Sequence, residues 1–262
     1  MFYLRWNFTI LNNKNSISVI CPFHNNEDTI VRAAKSIFDQ TLSPNEVIFV
    51  NDNSLDRSLE KLTEFLHKNK KQFVIQIISI NHSGPGHARN VAIQRSSSNW
   101  ISFLDADDYW MPEKISNIDK VIRKNEYVNF IAHDEFTQNN KKEIINSKLS
   151  QYFDNKAKIP TQIYKRNFLS TSSCTVSKLL VEKYLFDPFL GSCQDYELWL
   201  ALSSKMKLVF IQKPLCFYDN SLKTSITNSN QTKRLKNLLI VLFRYSKYVS
   251  FPVFCFIVSK FL

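Results

Sequence analysis

The sequence predicts an α/β fold, with a mostly parallel sheet flanked by helices and an amphipathic helical tail at the C-terminus. Short apolar runs alternate with helical patterns from residue 16 to residue 202. In a chain of this kind each helix carries the backbone across the sheet, so that successive strands run parallel. The tail is a separate signal, because a stripe of leucines lies opposite a stripe of basic residues.

Apolar runs bounded by polar turns predict the strands. Four of them are SISVIC (16–21), EVIFV (46–50), FVIQIISI (73–80) and WISFL (100–104). Two later runs, KLVFI (207–211) and LCFYD (215–219), predict further strands. Continuous apolar runs are typical of strands that are covered on both faces.

Apolar residues at helical spacing predict the helices between these strands. The first stripe is Ile30, Ala33, Ala34 and Ile37, and the second, following residue 54, is Leu55, Leu59, Leu62 and Leu66. Further helices are predicted from about His87 to Arg95 and over DYELWLAL (195–202). The polar stretch from Asp134 to Ser173 has no clear period. It predicts irregular structure, which either covers a site or is a surface excursion without function.

Composition limits the class of protein. The chain has 262 residues, of which 44% are apolar and 22% are charged, as in a folded domain and unlike a polytopic membrane protein. Its five cysteines are odd in number and far apart, which favours neither a disulfide framework nor a zinc site. No secretory signal is recognisable, so we expect a cytoplasmic location.

The net charge of +11 is concentrated near the C-terminus. Residues 220–262 contain seven basic residues and no acidic one, and they begin with a linker-like stretch, NSLKTSITNSNQTK (220–233). We therefore divide the chain into a domain, 1–219, and a linker with a basic amphipathic tail, 220–262. Because the basic excess lies in the tail and not along the body, we expect no nucleic acid partner.

The tail itself predicts contact with a surface. Its helix places leucines on one side and basic residues on the other: Leu235, Leu238, Leu239 and Leu242 against Lys233, Lys236, Arg244 and Lys247. The apolar segment after Pro252 is much shorter than the roughly 20 residues that span a bilayer. A peripheral contact with an anionic membrane is favoured. The alternative is a tail helix docked on its own domain or on a second subunit.

Three carboxylates follow the fourth predicted strand in FLDADDYWMP (103–112). Asp105, Asp107 and Asp108 would repel one another unless a cation or water takes up the charge. Oxygen ligands at a strand end suit Mg²⁺ or Mn²⁺, which takes one or two carboxylates and completes its shell with phosphate and water. The alternative is a solvated turn in which Asp105 or Asp107 caps the next helix.

Three further polar motifs have a functional and a structural interpretation each. Asp52 in VNDNS (50–54) is placed to contact a nucleotide, or it belongs to an ordinary turn. Arg89 in NHSGPGHARN (81–90) is placed to meet phosphate, or it lies on the surface. Asp195 in GSCQDYELW (191–199) either caps a helix or interacts with its dipole, or it acts as a general base in a cleft.

Five segments in order resemble the successive motifs of the family 2 glycosyltransferases. They are SVICPFHNNEDTI, VIFVNDNSLDRS, GPGHARNVAI, WISFLDADDYWMP and QDYELWLAL. The resemblance covers about residues 16–202, with an unmatched stretch at 134–173. It implies a Rossmann-like GT-A fold for the domain and an inverting enzyme that uses nucleotide-diphosphate sugars.

The resemblance also implies a role for each matching residue. Three residues fall where the family contacts the nucleobase and ribose: Pro22, Glu27 and Asp52. Arg89 falls in the helix on the phosphate side. Asp105 and Asp107 match the D-x-D motif, which holds ribose and a divalent cation, Mn²⁺ or Mg²⁺, against the diphosphate. Asp195 matches the catalytic base.

Four positions depart from the common pattern of the family. His24 stands where tyrosine is frequent, Asn51 and Asn53 replace an aspartate and a glycine, and Gln194 replaces the glutamate before the base. These departures keep a second hypothesis open, in which a degenerate member of the fold binds a nucleotide or a membrane without catalysis.

The favoured hypothesis is transfer of a sugar, from a UDP-sugar, to a hydroxyl of a glycan or lipid-linked acceptor. The implied setting is synthesis of bacterial lipopolysaccharide or another surface polysaccharide, with the protein peripheral at the inner face of the cell membrane.

Overall fold

The computed structural model describes residues 3–6, 15–138, 143–219 and 231–260. The strands of the described residues are β1 (Tyr3–Trp6), β2 (Ile17–Phe23), β3 (Glu46–Asn51), β4 (Val74–Ser79), β5 (Trp100–Phe103), β6 (Tyr109–Trp110), β7 (Phe130–Gln138), β8 (Ile144–Ser147), β9 (Thr175–Ser177) and β10 (Leu208–Tyr218). The helices are α1 (Ile30–Phe38), α2 (Ser58–Lys68), α3 (Pro85–Arg95), α4 (Lys114–Lys124), α5 (Ile159–Lys165), α6 (Lys178–Val181), α7 (Gln194–Leu202), α8 (Gln231–Arg244) and α9 (Phe251–Val258).

These strands form one mixed sheet, in the order β1-β4-β3-β2-β5-β9-β7-β10-β6, with β8 paired to β7. Strands β4, β3, β2 and β5 run parallel to one another, and β10 runs parallel to β7. Antiparallel pairing is confined to β1, β6, β8 and β9 with their neighbours. The predicted α/β fold with a mostly parallel sheet is confirmed.

Both faces of the sheet are covered, as the continuous apolar runs predict. Alternate residues of β2 enter two separate apolar clusters, because side chains along a strand point to opposite faces. Val19 packs in the cluster that contains α1, α2 and α4. Ile20 packs in the cluster that contains α3 and α7.

The register brings the ends of the four parallel strands to one edge of the sheet. Phe23 of β2 pairs with Asn51 of β3, and Asn51 pairs with Ser79 of β4. On the other side of β2, Ile20 pairs with Phe103, the last residue of β5. The loops that follow these strands therefore meet, and they carry most of the polar motifs found in the sequence.

One residue of the predicted helical stripes is misplaced. Ile30, Ala33, Ala34 and Ile37 are all buried as predicted, but Leu55 is 85% exposed and precedes α2. The carboxylate of Asp56 accepts hydrogen bonds from the backbone N–H groups of Ser58 and Glu27, each at 3.0 Å. These bonds keep the chain in a turn until Ser58, so the inner side of α2 begins with Leu59 and not with Leu55.

The prediction of irregular structure from Asp134 to Ser173 is wrong for much of that stretch. Strand β7 extends to Gln138, β8 pairs with it, and α5 follows. The pattern was hidden because β8 lies at an edge of the sheet with Ile144 and Ile145 exposed, and α5 is only 7 residues long. Residues 139–142, between the two strands, lie outside the described residues.

The two late strands predicted at 207–211 and 215–219 form a single strand, β10. Its pairing with β7 shifts register on both sides of Pro214. Proline has no backbone N–H to donate to the ladder, so an irregularity in the pairing accommodates it without ending the strand.

The tail packs against the domain. Four buried residues of α8 and α9 belong to the same apolar cluster as α3 and α7: Val241, Leu242, Ile257 and Val258. The basic residues Lys233, Lys236 and Lys247 are exposed. Most of the predicted linker, residues 220–230, lies outside the described residues. Among the helices that are described, none has the length and apolarity needed to cross a bilayer.

Candidate active site

Asp52 lies just beyond β3 and fastens the loop that leads into α3. Its two carboxylate oxygens accept hydrogen bonds from the backbone N–H groups of Ser83 (2.7 Å) and Gly84 (2.8 Å). Gly84 has a φ of 86°, a conformation that favours glycine. Asp52 therefore holds the start of the helix that carries Arg89, a role that the sequence motif alone does not reveal.

Two histidines stand beside Asp52. Nδ1 of His82 lies 3.0 Å from Oδ2 of Asp52. Nδ1 of His24 lies 2.7 Å from the backbone carbonyl oxygen of Asp52. The two imidazole rings are 4.3 Å apart. Within the described part of the chain these three residues also form a group whose ligand atoms lie within 4.8 Å of one another, close enough to hold a metal ion.

Pro22 and Glu27, expected beside Asp52, lie in and after β2. Pro22 is buried and pairs with Val50 of the neighbouring strand. The carboxylate of Glu27 points to Lys61, with Oε2 3.5 Å from Nζ. Both residues lie at the same edge of the sheet as Asp52, and Glu27 has an ionic partner in α2.

Arg89 is 6% exposed and lies on α3. Its Nη2 donates to Oδ1 of Asp105 at 2.5 Å, and its guanidinium lies 5.2 Å from the ring of Phe186. Its Nε has no hydrogen-bond partner among the described residues. A buried N–H without a partner is costly, and a phosphate oxygen would satisfy it. The interpretation of Arg89 as an ordinary surface residue is therefore wrong.

The three carboxylates after β5 have different environments. Asp108 is buried, and its oxygens accept hydrogen bonds from the Ser172 hydroxyl and the backbone N–H of Asp219, so it organises the loop. Asp105 and Asp107 are half-buried. Desolvation and the nearby charge of Asp105 raise the pKa of Asp107 to about 6.

The pair formed by Asp105 and Asp107 fits a divalent cation. Desolvation is the main cause of the raised pKa of Asp107 and the charge of Asp105 adds to it, so a bound cation would favour the charged form of this carboxylate. The donors are oxygen atoms, which Mg²⁺ and Mn²⁺ prefer. Capping of the next helix is not their role, because α4 begins at Lys114 without a side-chain cap.

Asp195 lies in the first turn of α7. Burial is the main cause that raises the pKa of its carboxyl, while Oδ2 accepts a hydrogen bond from Nδ2 of Asn167 at 3.3 Å. The residue at the N-cap is Cys193, in a left-handed conformation with a φ of 60°. Asp195 is thus not the cap of α7. It faces a cavity, where a carboxylate with a raised pKa can accept a proton.

A cavity of about 540 Å³ joins these elements. Arg89, Asp105 and Asp195 line it together, although they are far apart in the sequence. Pro22, Glu27, Asp52 and Asp107 are not part of its lining, and they lie along the adjoining sheet edge. The volume is within the usual range for small-molecule sites. The arrangement can hold an anionic substrate against Arg89 and place a base beside it.

A family model described as Glycosyl transferase family 2 matches residues 18–185, which is more than half of the chain. The chain belongs to glycosyl transferase family 2. The match contains Asp52, Arg89 and Asp107 and ends before Asp195, so the assignment of Asp195 depends on the cavity.

Three proteins illustrate what this family 2 glycosyltransferase is similar to. UDP-Glc:alpha-D-GlcNAc-diphosphoundecaprenol beta-1,3-glucosyltransferase WfgD of Escherichia coli is 27% identical over 223 residues, which are 84% of this chain and 82% of that protein. The structure of Staphylococcus aureus TarS with UDP-GlcNAc matches with a TM-score of 0.72 and 18% identity, over 94% of this chain and 71% of that one. Mannosyltransferase PcManGT from Pyrobaculum calidifontis, with GDP-Man and Mn²⁺, matches with a TM-score of 0.66 and 15% identity, over 93% and 68%.

The structural matches establish the GT-A fold of this family 2 chain. The chain spans about a third of the length of the first curated relatives it matches, which are uncharacterized glycosyltransferases of Rickettsia.

Sequence reasoning missed one acidic residue of the glycosyltransferase cavity. Glu135 of β7 lines it and accepts a hydrogen bond from the Ser170 hydroxyl. Burial raises the pKa of Glu135 to about 7. The residue fell within the stretch interpreted as irregular. The short apolar run FIA (130–132) was the signal that could have indicated the strand that carries it.

Proposed function

We propose that this chain is an inverting glycosyltransferase that moves a sugar from a UDP-sugar to a hydroxyl of a glycan or lipid-linked acceptor. The observation that carries the proposal is the convergence of Arg89, Asp105 and Asp195 on one cavity at the carboxyl edge of the sheet. The relatives support the substrate classes, because TarS is solved with UDP-GlcNAc and the E. coli enzyme is named for a UDP-Glc donor and a diphosphoundecaprenol acceptor.

Donor binding is assigned to the sheet edge. Pro22, Glu27 and Asp52 would contact the nucleobase and ribose. Arg89 would donate from its guanidinium to the diphosphate, through the Nε that has no partner among the described residues. Asp105 and Asp107 would hold Mn²⁺ or Mg²⁺, which when bound supplies positive charge to the leaving diphosphate.

Asp195 is assigned as the general base. An alcohol is a weak nucleophile, so its proton must leave as its oxygen attacks the anomeric carbon. Asp195 takes that proton, the new glycosidic bond forms, and the bond to the UDP oxygen breaks on the opposite face, which inverts the anomeric centre. The hydrogen bond from Asn167 keeps the carboxylate oriented, and its raised pKa makes it a stronger base than an exposed aspartate.

Binding and transfer test the two halves of this proposal separately. Asp107→Ala should abolish the Mn²⁺-dependent binding of UDP in calorimetry, whereas Asp39→Ala, an exposed aspartate on the far end of α1, should bind as the wild type does. Unchanged binding that EDTA does not affect would contradict the metal assignment.

Asp195→Asn should retain donor binding and lose transfer by about 10²–10⁴-fold. Turnover close to that of the wild type would point to another base. Donor binding by the wild type without transfer to any glycan or lipid-linked acceptor would favour the degenerate binding module instead.

The tail is assigned to a peripheral contact at the inner face of the cell membrane, and the division into a domain, 1–219, and a tail, 220–262, belongs to the same proposal. The leucine side of the tail packs on the domain, so the membrane would meet the opposite side. Four apolar residues are exposed there: Ile240, Phe243, Phe251 and Phe256. Lys236 of α8, Lys247 between the two helices and Lys260 just after α9 are exposed too, which suits an anionic surface.

Vesicle sedimentation tests this contact. The double substitution of Phe251 and Phe256 by serine should release the protein from vesicles that contain phosphatidylglycerol. Phe189→Ser removes a phenylalanine that is 93% exposed on the domain and serves as the control. Equal retention of the double variant and the control would refute the membrane contact through this face.

A further inference from the structure

The tail also forms part of the cavity that contains Asp195. Arg234, Leu238 and Leu242 of α8 line this cavity, together with Ile257 of α9. The carbonyl oxygen of Leu242 accepts a hydrogen bond from the hydroxyl of Tyr164 at 2.7 Å, which fixes α8 against α5. The wall that faces the base is therefore built by α5 and the tail, and not by the sheet edge that is assigned to the donor.

This wall is basic. Lys165 and Arg166, at the end of α5, line the cavity and are exposed, as is Arg234 of α8. Lys233 extends over Gly191, because a Cβ built on Gly191 would lie 3.4 Å from its Cε and 3.5 Å from its Nζ. Three cationic side chains thus line one cavity, and a fourth lies beside a glycine of its lining.

The cations are held near the base by contacts of their own. The side chain of Arg234 lies beside the thiol of Cys193, two residues before Asp195. The guanidinium of Arg166 lies 4.1 Å from the centre of the Tyr152 ring. Asn167, the next residue in the chain, is the hydrogen-bond partner of Asp195. An anion bound by Arg166 and Arg234 would therefore lie close to the residue that activates the acceptor.

The donor does not account for this basic wall. Arg89 and the aspartates after β5 serve the donor diphosphate at the sheet edge, and Arg89 is paired with Asp105 there. We infer that Lys165, Arg166, Lys233 and Arg234 form a second anion site, which binds the phosphate or diphosphate of an acceptor whose sugar reaches Asp195. This inference rests on the proposed function, and it makes the acceptor a phosphorylated glycolipid and not a neutral glycan.

The test uses a soluble mimic of the acceptor anion. Full-length protein is saturated with UDP and Mn²⁺, so that the donor site is occupied, and geranyl diphosphate is titrated into it. Geraniol, which has the same chain without the anion, measures the apolar contribution. The double variant Arg166→Gln/Arg234→Gln should bind geranyl diphosphate about tenfold to a hundredfold more weakly than the wild type, because it removes two charge-assisted contacts. Its affinity for geraniol and for UDP should be unchanged.

A control removes the same charge from the outer side of the tail. Lys236→Gln/Lys247→Gln should bind geranyl diphosphate as the wild type does. Equal weakening in both double variants would show an effect of net charge and would overturn the inference. Unchanged binding in Arg166→Gln/Arg234→Gln would overturn it as well.

Anionic lipid headgroups are the other source of the same chemistry. If Arg166→Gln/Arg234→Gln loses binding to phosphatidylglycerol vesicles but keeps its affinity for geranyl diphosphate, the four cations contact the membrane and the acceptor site is refuted. If the wild type does not bind UDP, the proposed function is contradicted. The geranyl diphosphate titration can then be repeated in EDTA without nucleotide, so the anion site is still tested separately.

Discussion

Arg244 connects the tail to the helix that carries Asp195. Its Nη1 donates to Oδ2 of Asp187 at 2.8 Å and to Oε1 of Glu197 at 2.9 Å. Glu197 lies two residues after Asp195 and is 6% exposed, and it also accepts a hydrogen bond from the hydroxyl of Tyr245 at 2.7 Å. Arg244→Met would therefore leave a buried carboxylate with one hydrogen bond fewer and without its cation.

The expected cost follows from these contacts. A hydrogen bond to a charged group contributes about 1.5–3 kcal/mol when it is buried. The side chain of Arg244 is 42% exposed, so solvent screening reduces its share, and Tyr245 continues to donate to Glu197. We expect Arg244→Met to lower the free energy of unfolding by about 2 kcal/mol. In a chain of this size that corresponds to a melting temperature lower by roughly 4–8 °C.

Thermal unfolding followed by circular dichroism measures this change, with urea unfolding as a second measure. Lys236→Met removes a cation from the exposed side of the same helix and should leave the melting temperature unchanged. In a double-mutant cycle, Glu197→Gln combined with Arg244→Met should cost less than the sum of the two single variants. A melting temperature of Arg244→Met within about 1 °C of the wild type would refute the reasoning.

Three other predictions concern the proposed base Asp195, the close contact between Gly86 and Gln194, and the exposed position of Leu55. Because burial raises the pKa of Asp195, and only its carboxylate accepts a proton, kcat/KM should fall on the acid side at a pH above the ordinary aspartate pKa of about 3.9; an acid limb at or below that pH would contradict the assignment. A Cβ at Gly86 would lie 2.9 Å from the side chain of Gln194, so Gly86→Ala should cost about 1–3 kcal/mol in urea unfolding. Adding Gln194→Ala should recover most of that loss, and no recovery would mean that the strain lies elsewhere. Leu55→Ala should change the free energy of unfolding by less than about 0.5 kcal/mol, whereas Leu62→Ala should lower it by about 2–5 kcal/mol in the same assay. Equal losses in the two variants would mean that Leu55 is part of the core.

The parallel half of the sheet could be predicted because its strands are continuous apolar runs. Each residue of β2 and β3 is buried, so the runs are uninterrupted and end sharply at polar residues. The helical stripe of α1 was equally clear. Leu55 fits the spacing of α2 as well as Leu59 does, and only the hydrogen bonds of Asp56 show where that helix begins.

The antiparallel half could not be predicted in the same way. Strand β8 buries none of its side chains fully and owes its position to pairing with β7, a contact between segments that the sequence pattern does not connect. Glu135 was missed for this reason, since it lies in β7, within the stretch that the pattern assigned to irregular structure. Asp105 and Arg89 were found individually from their motifs. Their ion pair depends on the packing of α3 against β2 and β3, which brings Arg89 to the loop after β5 and which spacing does not encode.

The position of the tail in the core has a consequence for the order of folding. Val241, Leu242, Ile257 and Val258 complete an apolar cluster whose other buried members precede them in the chain. Ribosomes add about 5–20 residues per second, so the sheet emerges seconds before α8 and α9 do. During that interval the nascent sheet exposes the apolar surface that the tail later covers, and the cavity lacks one wall. We expect the nascent chain to lack a complete cavity and to need protection from aggregation until α8 and α9 dock.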